Sequence, residues 1–142
     1  MSRIKIAFPE TVSFTAAIPI RITDLNYGNH VGNDAVLSII HEARMQLLSQ
    51  HGYSELNCAG VGLIMSDVGI EFKKEIFYGD VLTIEIAAVN FSSVGFDLYY
   101  RLRNKETIVV ALAKTGMVCY NYGVKKIATV PVEVKAKLAG NS

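Results

Sequence analysis

From Ser13 to Thr23 the chain alternates. Phe14, Ala16, Ile18, Ile20 and Ile22 occupy the even positions, while Thr15, Ala17, Pro19 and Arg21 lie between them. A period of two is the mark of a half-buried strand. A proline on the outward side places that strand at a sheet edge or at a bulge. If the extended backbone continues, Asp24 and Asn26 are the next residues to face the core. The period then changes. From Asn33 onward Val36, Ile39, Ile40, Ala43 and Leu47 recur at helical spacing, which predicts one long helix of about 17 residues. Asn33 or Asp34 can cap its start, and Gly52 can end it. Leu37 and Leu48 widen the apolar stripe, so the helix is expected to be wrapped by other structure rather than laid on a surface.

Strand signals fill the rest. Residues 61–76 read as extended, with an interruption near Asp67 to Gly69. "YGD" at 78–80 is a turn. Leu82, Ile84, Ile86 and Ala88 then alternate with Thr83, Glu85, Ala87 and Val89. After "SSVG" at 92–95, Phe96, Leu98, Tyr100 and Leu102 alternate with Asp97, Tyr99, Arg101 and Arg103. The stretch 107–120 is apolar on both faces, as an interior strand is. "NYGVKK" is a turn, and "VEVKAKLAG" predicts a short terminal helix. A strand, a long helix and then strands joined by tight turns make an α+β protein with an antiparallel sheet of five or so strands. A single helix so widely apolar implies that the sheet curls around it.

Composition narrows the function. The 142 residues suggest one domain over 1–142, with a core from about 12 to 134. The net charge of +1 and the lack of a basic-aromatic stripe give no electrostatic footprint for nucleic acid. No apolar run is long enough to span a membrane, and the start is too polar for a signal peptide. Cys58 and Cys119 are far apart and form no CxxC pair, which fits reduced thiols in a cytoplasmic protein. Cys58 has no local histidine arrangement to make it a nucleophile, and no spacing suggests a metal site.

What remains is the junction "DLNYGNHVGND", 24–34. Asp24 could activate water, or hold the loop by accepting backbone N–H bonds. Asn26 cannot be a general base, but it can donate to a carbonyl oxygen or orient water. His30 has the side chain best suited to proton transfer near neutral pH, or it could simply order the turn. Gly28 and Gly32 would let a substrate approach the backbone. The helix start from Gly32 to Val36, including Asn33, offers free N–H groups and the positive dipole end. Tyr27 could line a substrate tunnel. Glu42 sits on the flank of the apolar stripe. Lys73 and Lys74 could meet the phosphates of a carrier arm, although a charged edge strand explains them too.

These residues resemble a known family. A sheet around one long helix is the hot-dog fold, and the junction resembles the signature of its 4-hydroxybenzoyl-CoA thioesterase-like branch. That signature is an aspartate-rich turn, a "GHVNN"-like step and a helix ending in "EEAR"; this chain has Asp24, Asn26, "NHVGN" (29–33) and "HEAR" (41–44). "FYGDVL" (77–82) is similar to the family's hairpin turn. The segment also resembles the "DLDVNQHVNN" active-site stretch of plant acyl-ACP thioesterases, with Asp24, His30, Asn33 and Glu42 at matching positions. Asn26 departs from both, standing where an aspartate is usual. Gly28 stands where the plant enzymes have asparagine, and Gly32 replaces the first asparagine of "HVNN". The resemblance implies hydrolysis of an acyl-CoA or acyl-carrier thioester, with CoA present only as part of the substrate. Asp24, Asn26, His30 and Glu42 would serve catalysis, and Tyr27, Gly28, Gly32 and Asn33 would bind substrate. It also implies edge-to-edge pairing into a homodimer or homotetramer, for which Ala87 and Val89 are candidate contacts. The alternative is an acyl-CoA-binding protein that does not cleave. A hydratase is a third option, but the His-acid spacing that chemistry uses is not found.

Overall fold

The computed structural model describes residues 3–139. Strand β1 is Phe14–Pro19, α1 is Asn33–Gln50, β2 is Gly62–Phe72, β3 is Val81–Val89 and β4 is Gly95–Arg103; β5 (Val109–Asn121), the short β6 (Lys126–Ile127) and α2 (Val132–Leu138) complete the chain. The pairings are antiparallel, in the order β1-β3-β4-β5-β2, with β6 added on β5. This is the expected hot-dog arrangement, with one small strand more than the pattern predicts. A two-residue strand is too short to show a period. Gly140, the last residue of the predicted terminal helix segment, lies outside the described residues.

The alternation decides which face is core. In β3, Leu82, Ile84, Ile86 and Ala88 are buried, and in β4 Phe96, Leu98, Tyr100 and Leu102 are. The helix supplies the other half through Val36, Ile39, Ile40, Ala43, Leu47 and Leu48. Fully burying each such Leu or Ile stabilises the fold by about 2 kcal/mol. The doubly apolar β5 is interior as predicted, flanked by β4 and β2. β1 is an edge strand, which accommodates Pro19.

Four expectations are corrected. The strand ends at Pro19, and residues Ile22–Asp24 form a 3-10 turn. Extended backbone therefore does not carry Asn26 inward; it is exposed, as is Ile22. Asp24 is buried, but through that turn. The helix is capped by Gly32 and not by a side chain of Asn33 or Asp34. The irregularity in β2 is a bulge between Met65 and Asp67, which lets the strand run on to Phe72. Ala87 is fully buried within the single chain, so it offers no surface to a second copy.

The wrapping of α1 is one-sided. Leu48 is buried, but Leu37 is exposed, and so are Ile64, Met65 and Val68 on the edge strand β2. The helix lies closest to β1 and β3, and a hollow lined by Leu37, Ser38 and His41 with Leu63, Ile64 and Met65 lies between it and β2.

Candidate functional site

The junction folds as a loop closed by its own backbone. Asn26 N–H donates to the His30 carbonyl at 2.9 Å and Asn29 N–H to the Asn26 carbonyl at 3.2 Å, with Asn29 in the left-handed region (φ 63°). Leu25 pairs with Val31, and His30 with Phe77. Val31 N–H donates to the Ile76 carbonyl at 2.7 Å, so the hairpin loop before β3 holds the site loop from the other side.

Four of the expected residues meet within this loop. The Asn26 Oδ1 accepts the Gly28 N–H at 2.9 Å, an Asx turn. The same side chain lies beside Gly32: a Cβ built there would be 3.7 Å from the Asn26 Nδ2. His30 packs over Gly28, where a Cβ would be only 3.0 Å from Cδ2 and Nε2 of the ring. His30 Nδ1 lies 3.2 Å from the Val31 carbonyl. Donation there fixes the tautomer and leaves Nε2 with a free lone pair. Gly28 and Gly32 are therefore needed for close approach rather than for an unusual φ.

The helix start adds donors. Gly32 N–H is taken by the Asp24 carbonyl at 3.2 Å, and Ala35 and Val36 N–H groups turn back to the Gly32 carbonyl. The N–H groups of Asn33 and Asp34 have no partner among the described residues. Both point the way an anion or polarised carbonyl prefers.

Asp24 takes a different position. Its Oδ2 accepts the Arg21 N–H at 2.8 Å and its Oδ1 the Arg21 Nη2 at 3.3 Å. It closes the 3-10 turn and faces a groove of about 390 Å³ between β1 and α1. Glu42 lines the same groove, with its Oε2 accepting the Gln46 amide at 3.0 Å. Ala17, Ile18, Ile39 and Met45 give that groove its apolar side. His30 and Asn33 instead line a hollow of about 240 Å³. The expected residues thus fall into two groups on either side of the junction. Tyr27 stands fully exposed at the loop tip and lines neither hollow.

Two features were not singled out as site groups from sequence. Asp34 is a carboxylate beside Gly32, where a Cβ would lie 2.8 Å from its Oδ1. Its place two residues into the helix was the available signal. The other feature is Arg44, of which 5% is exposed. Its Nε donates to Glu55 at 2.8 Å and its Nη1 to the Tyr100 hydroxyl at 3.1 Å; that hydroxyl is 2.8 Å from Thr115 Oγ1. His41 Nε2 is 2.7 Å from the other Glu55 oxygen. Burial alone would raise the Glu55 carboxyl, but the hydrogen bonds from His41 and Arg44 hold it below its ordinary value. Cys58 is inert, because burial pushes its thiol up to about 12. Among the described residues no His, Cys, Asp or Glu cluster is arranged to hold a metal, and no helix is long and apolar enough to cross a membrane.

Known proteins resemble this chain in sequence and in fold. The profile of the thioesterase-like superfamily matches residues 20–138. A 1,4-dihydroxy-2-naphthoyl-CoA hydrolase from Microcystis aeruginosa is 32% identical over 103 residues, which are 70% of this chain and 74% of that protein. The crystal structure of a 1,4-dihydroxy-2-naphthoyl-CoA thioesterase from Synechocystis superposes with a TM-score of 0.80 at 23% identity, over 88% of this chain and 94% of that one. A Staphylococcus aureus protein solved in complex with CoA reaches 0.79 at 14% identity, over 95% and 86%.

Proposed function

The chain belongs to the thioesterase-like superfamily, and from that premise we propose that it hydrolyses acyl-CoA thioesters at the loop that opens α1. One observation carries the proposal. The Asn26 side chain lies beside both Gly28 and Gly32, the His30 ring packs on Gly28, and the N–H groups of Asn33 and Asp34 are unpartnered next to Gly32 among the described residues.

The chemistry follows from those positions. The thioester carbonyl oxygen approaches Gly32 and receives the N–H groups of Asn33 and Asp34, with Asn26 Nδ2 beside them, and the Asp34 carboxylate, which stands beside Gly32, turns outward to admit it. These donors stabilise charge where it develops in the tetrahedral intermediate. His30 Nε2 takes a proton from the attacking water. Collapse of the intermediate breaks the C–S bond, and the imidazolium returns its proton to the departing sulfur. The products are a carboxylic acid and a free thiol. Both Asp24 oxygens are engaged by Arg21, which suits a carboxylate that holds the loop rather than one that meets water. The groove that Asp24 and Glu42 line, apolar on one side and polar on the other, suits an aromatic acyl group bearing hydroxyls. The name of the Microcystis relative supports testing such a group first.

The reading includes a second copy of the chain. The open β2 edge, with Ile64, Met65 and Val68 exposed, supports pairing into a sheet shared by two subunits.

Purified protein is tested against aromatic and aliphatic acyl-CoAs by release of free thiol. His30→Gln is expected to lower kcat by about 100-fold, whereas Asp24→Asn lowers thermal stability more than it lowers kcat. Tight acyl-CoA binding without thiol release from any substrate would replace the hydrolase by a binding protein. A full loss in Asp24→Asn with His30→Gln active would exchange their roles.

A further inference from the structure

The hollow at His30 and Asn33 does not end there. Phe72, Lys73 and Lys74 help to line it, and the same three residues line a second hollow of about 400 Å³ together with Arg3 and Lys5. The two form one track leading away from the proposed reaction centre.

Local bonds fix the track. Lys73 and Lys74 both donate their backbone N–H to the Val110 carbonyl, at 2.9 and 3.1 Å, which pins the chain as it leaves β2. Glu71 Oε1 accepts the Ile6 N–H at 2.9 Å, and its Oε2 lies 3.2 Å from Lys73 Nζ. That carboxylate ties the N-terminal segment to the sheet edge and so delivers Arg3 and Lys5 to the lysine pair. Four cations thus gather against two carboxylates, Glu71 and Glu75, in a chain whose total charge is only +1. Phe72, with 44% of its surface exposed, lies among them.

An exposed aromatic ring amid cations, on the wall shared with the hollow of His30 and Asn33, fits a nucleotide. Resting on the hydrolase reading above, we propose that this groove binds the nucleotide end of coenzyme A, with the adenine on Phe72 and the phosphates among Lys73, Lys74, Arg3 and Lys5. The pantetheine arm then runs past Phe72 to His30 and Asn33. Bases stack on aromatic faces whatever their identity, and lysines act on phosphate as point charges. A carrier protein also presents a phosphate and an acidic surface, but it has no base to place on Phe72.

The test uses the full chain and one acyl group on three carriers: CoA, 3′-dephospho-CoA and N-acetylcysteamine. Calorimetric binding of free CoA and 3′-dephospho-CoA runs in parallel. In Phe72→Ala, and separately in the Lys5→Ala/Lys74→Ala double variant, the preference in kcat/KM for the CoA thioester over the cysteamine thioester is expected to fall by about 10-fold, and CoA affinity by a similar factor. Raising the salt from about 50 to about 300 mM is expected to erode the wild-type preference in the same direction, because exposed charges are screened. The proposal is overturned if the preference and CoA affinity are unmoved while the cysteamine thioester is still cleaved. It is also overturned if the same acyl group on a carrier protein is preferred over CoA and that preference depends on Phe72 or the lysines. If neither thioester is cleaved but CoA binding shows the expected variant and salt dependence, the groove stands and the hydrolase reading falls.

Discussion

Gly28→Ala separates stability from chemistry at this site. Gly28 is exposed and lies outside the left-handed region, so its backbone accepts an L side chain. Taken alone, that replacement stabilises by about 0.4–1 kcal/mol, because the unfolded chain loses freedom. Opposing it, the new Cβ would sit 3.0 Å from His30 Cδ2 and Nε2, inside ordinary van der Waals contact, while its 3.5 Å distance to Asn26 Oδ1 is acceptable. The Asx turn therefore survives and the imidazole yields by a few tenths of an ångström. Since a misplacement of about 1 Å costs roughly 100-fold in rate, a shift of this size is expected to lower kcat by about 3- to 10-fold. The two stability contributions nearly offset, leaving Tm within about 3 °C of the parent. Thiol release at saturating acyl-CoA and thermal unfolding followed by circular dichroism measure both on one preparation. In a His30→Gln background the same change should have no further effect, since residues acting as one unit are not additive. An unchanged kcat at unchanged Tm would show that His30 is not held against Gly28 for catalysis. A Tm loss beyond about 5 °C would show that the turn itself was broken.

The buried Arg44 gives a pH-dependent prediction. Arg44→Met keeps much of the stem's packing but removes both hydrogen bonds; Tyr100 keeps Thr115 and Glu55 keeps His41 as partners. No buried group is left wholly orphaned, so the expected loss at neutral pH is about 2 kcal/mol, below the range for a fully broken buried pair. Because the folded-state pKa of Glu55 is lowered, its stabilising contribution is complete above its ordinary value of 4.5 and disappears as pH falls through the lower folded value. Urea unfolding of the variant should therefore show a weaker dependence on pH below about 4.5 than the parent; an unchanged free energy at neutral pH would show that the network contributes nothing net. For the open sheet edge, Val68→Asp is expected to convert a sedimenting dimer to monomer without unfolding it, whereas a parent that sediments as monomer at micromolar concentration would remove the shared-sheet proposal.

The alternation of two and the helical spacing after Asn33 carried the fold, because burial on one face writes itself into every second or every third-to-fourth residue. The strands of β3 and β4 are legible for that reason, and so is the interior position of β5. Periodicity cannot say where a period stops. Nothing in the alternation marks Pro19 as the last strand residue, yet the 3-10 turn after it turns Asn26 out to solvent and leaves Asp24 buried against Arg21. The candidate site was legible as a list of groups but not as a geometry. Asn26, Gly28, His30 and Gly32 meet because backbone bonds inside the loop and to Ile76 close it, and such bonds have no side-chain signature. Arg44 was hidden for the opposite reason. A charged residue on the buried face reads as solvated until Glu55 and Tyr100, 11 and 56 positions away in sequence, are seen to reach it. The asparagine at position 26, where relatives of this fold usually keep an acid, follows the same logic. With the Asp34 carboxylate already beside Gly32, an amide at position 26 brings a donor to that corner of the loop where a second carboxylate could bring only an acceptor.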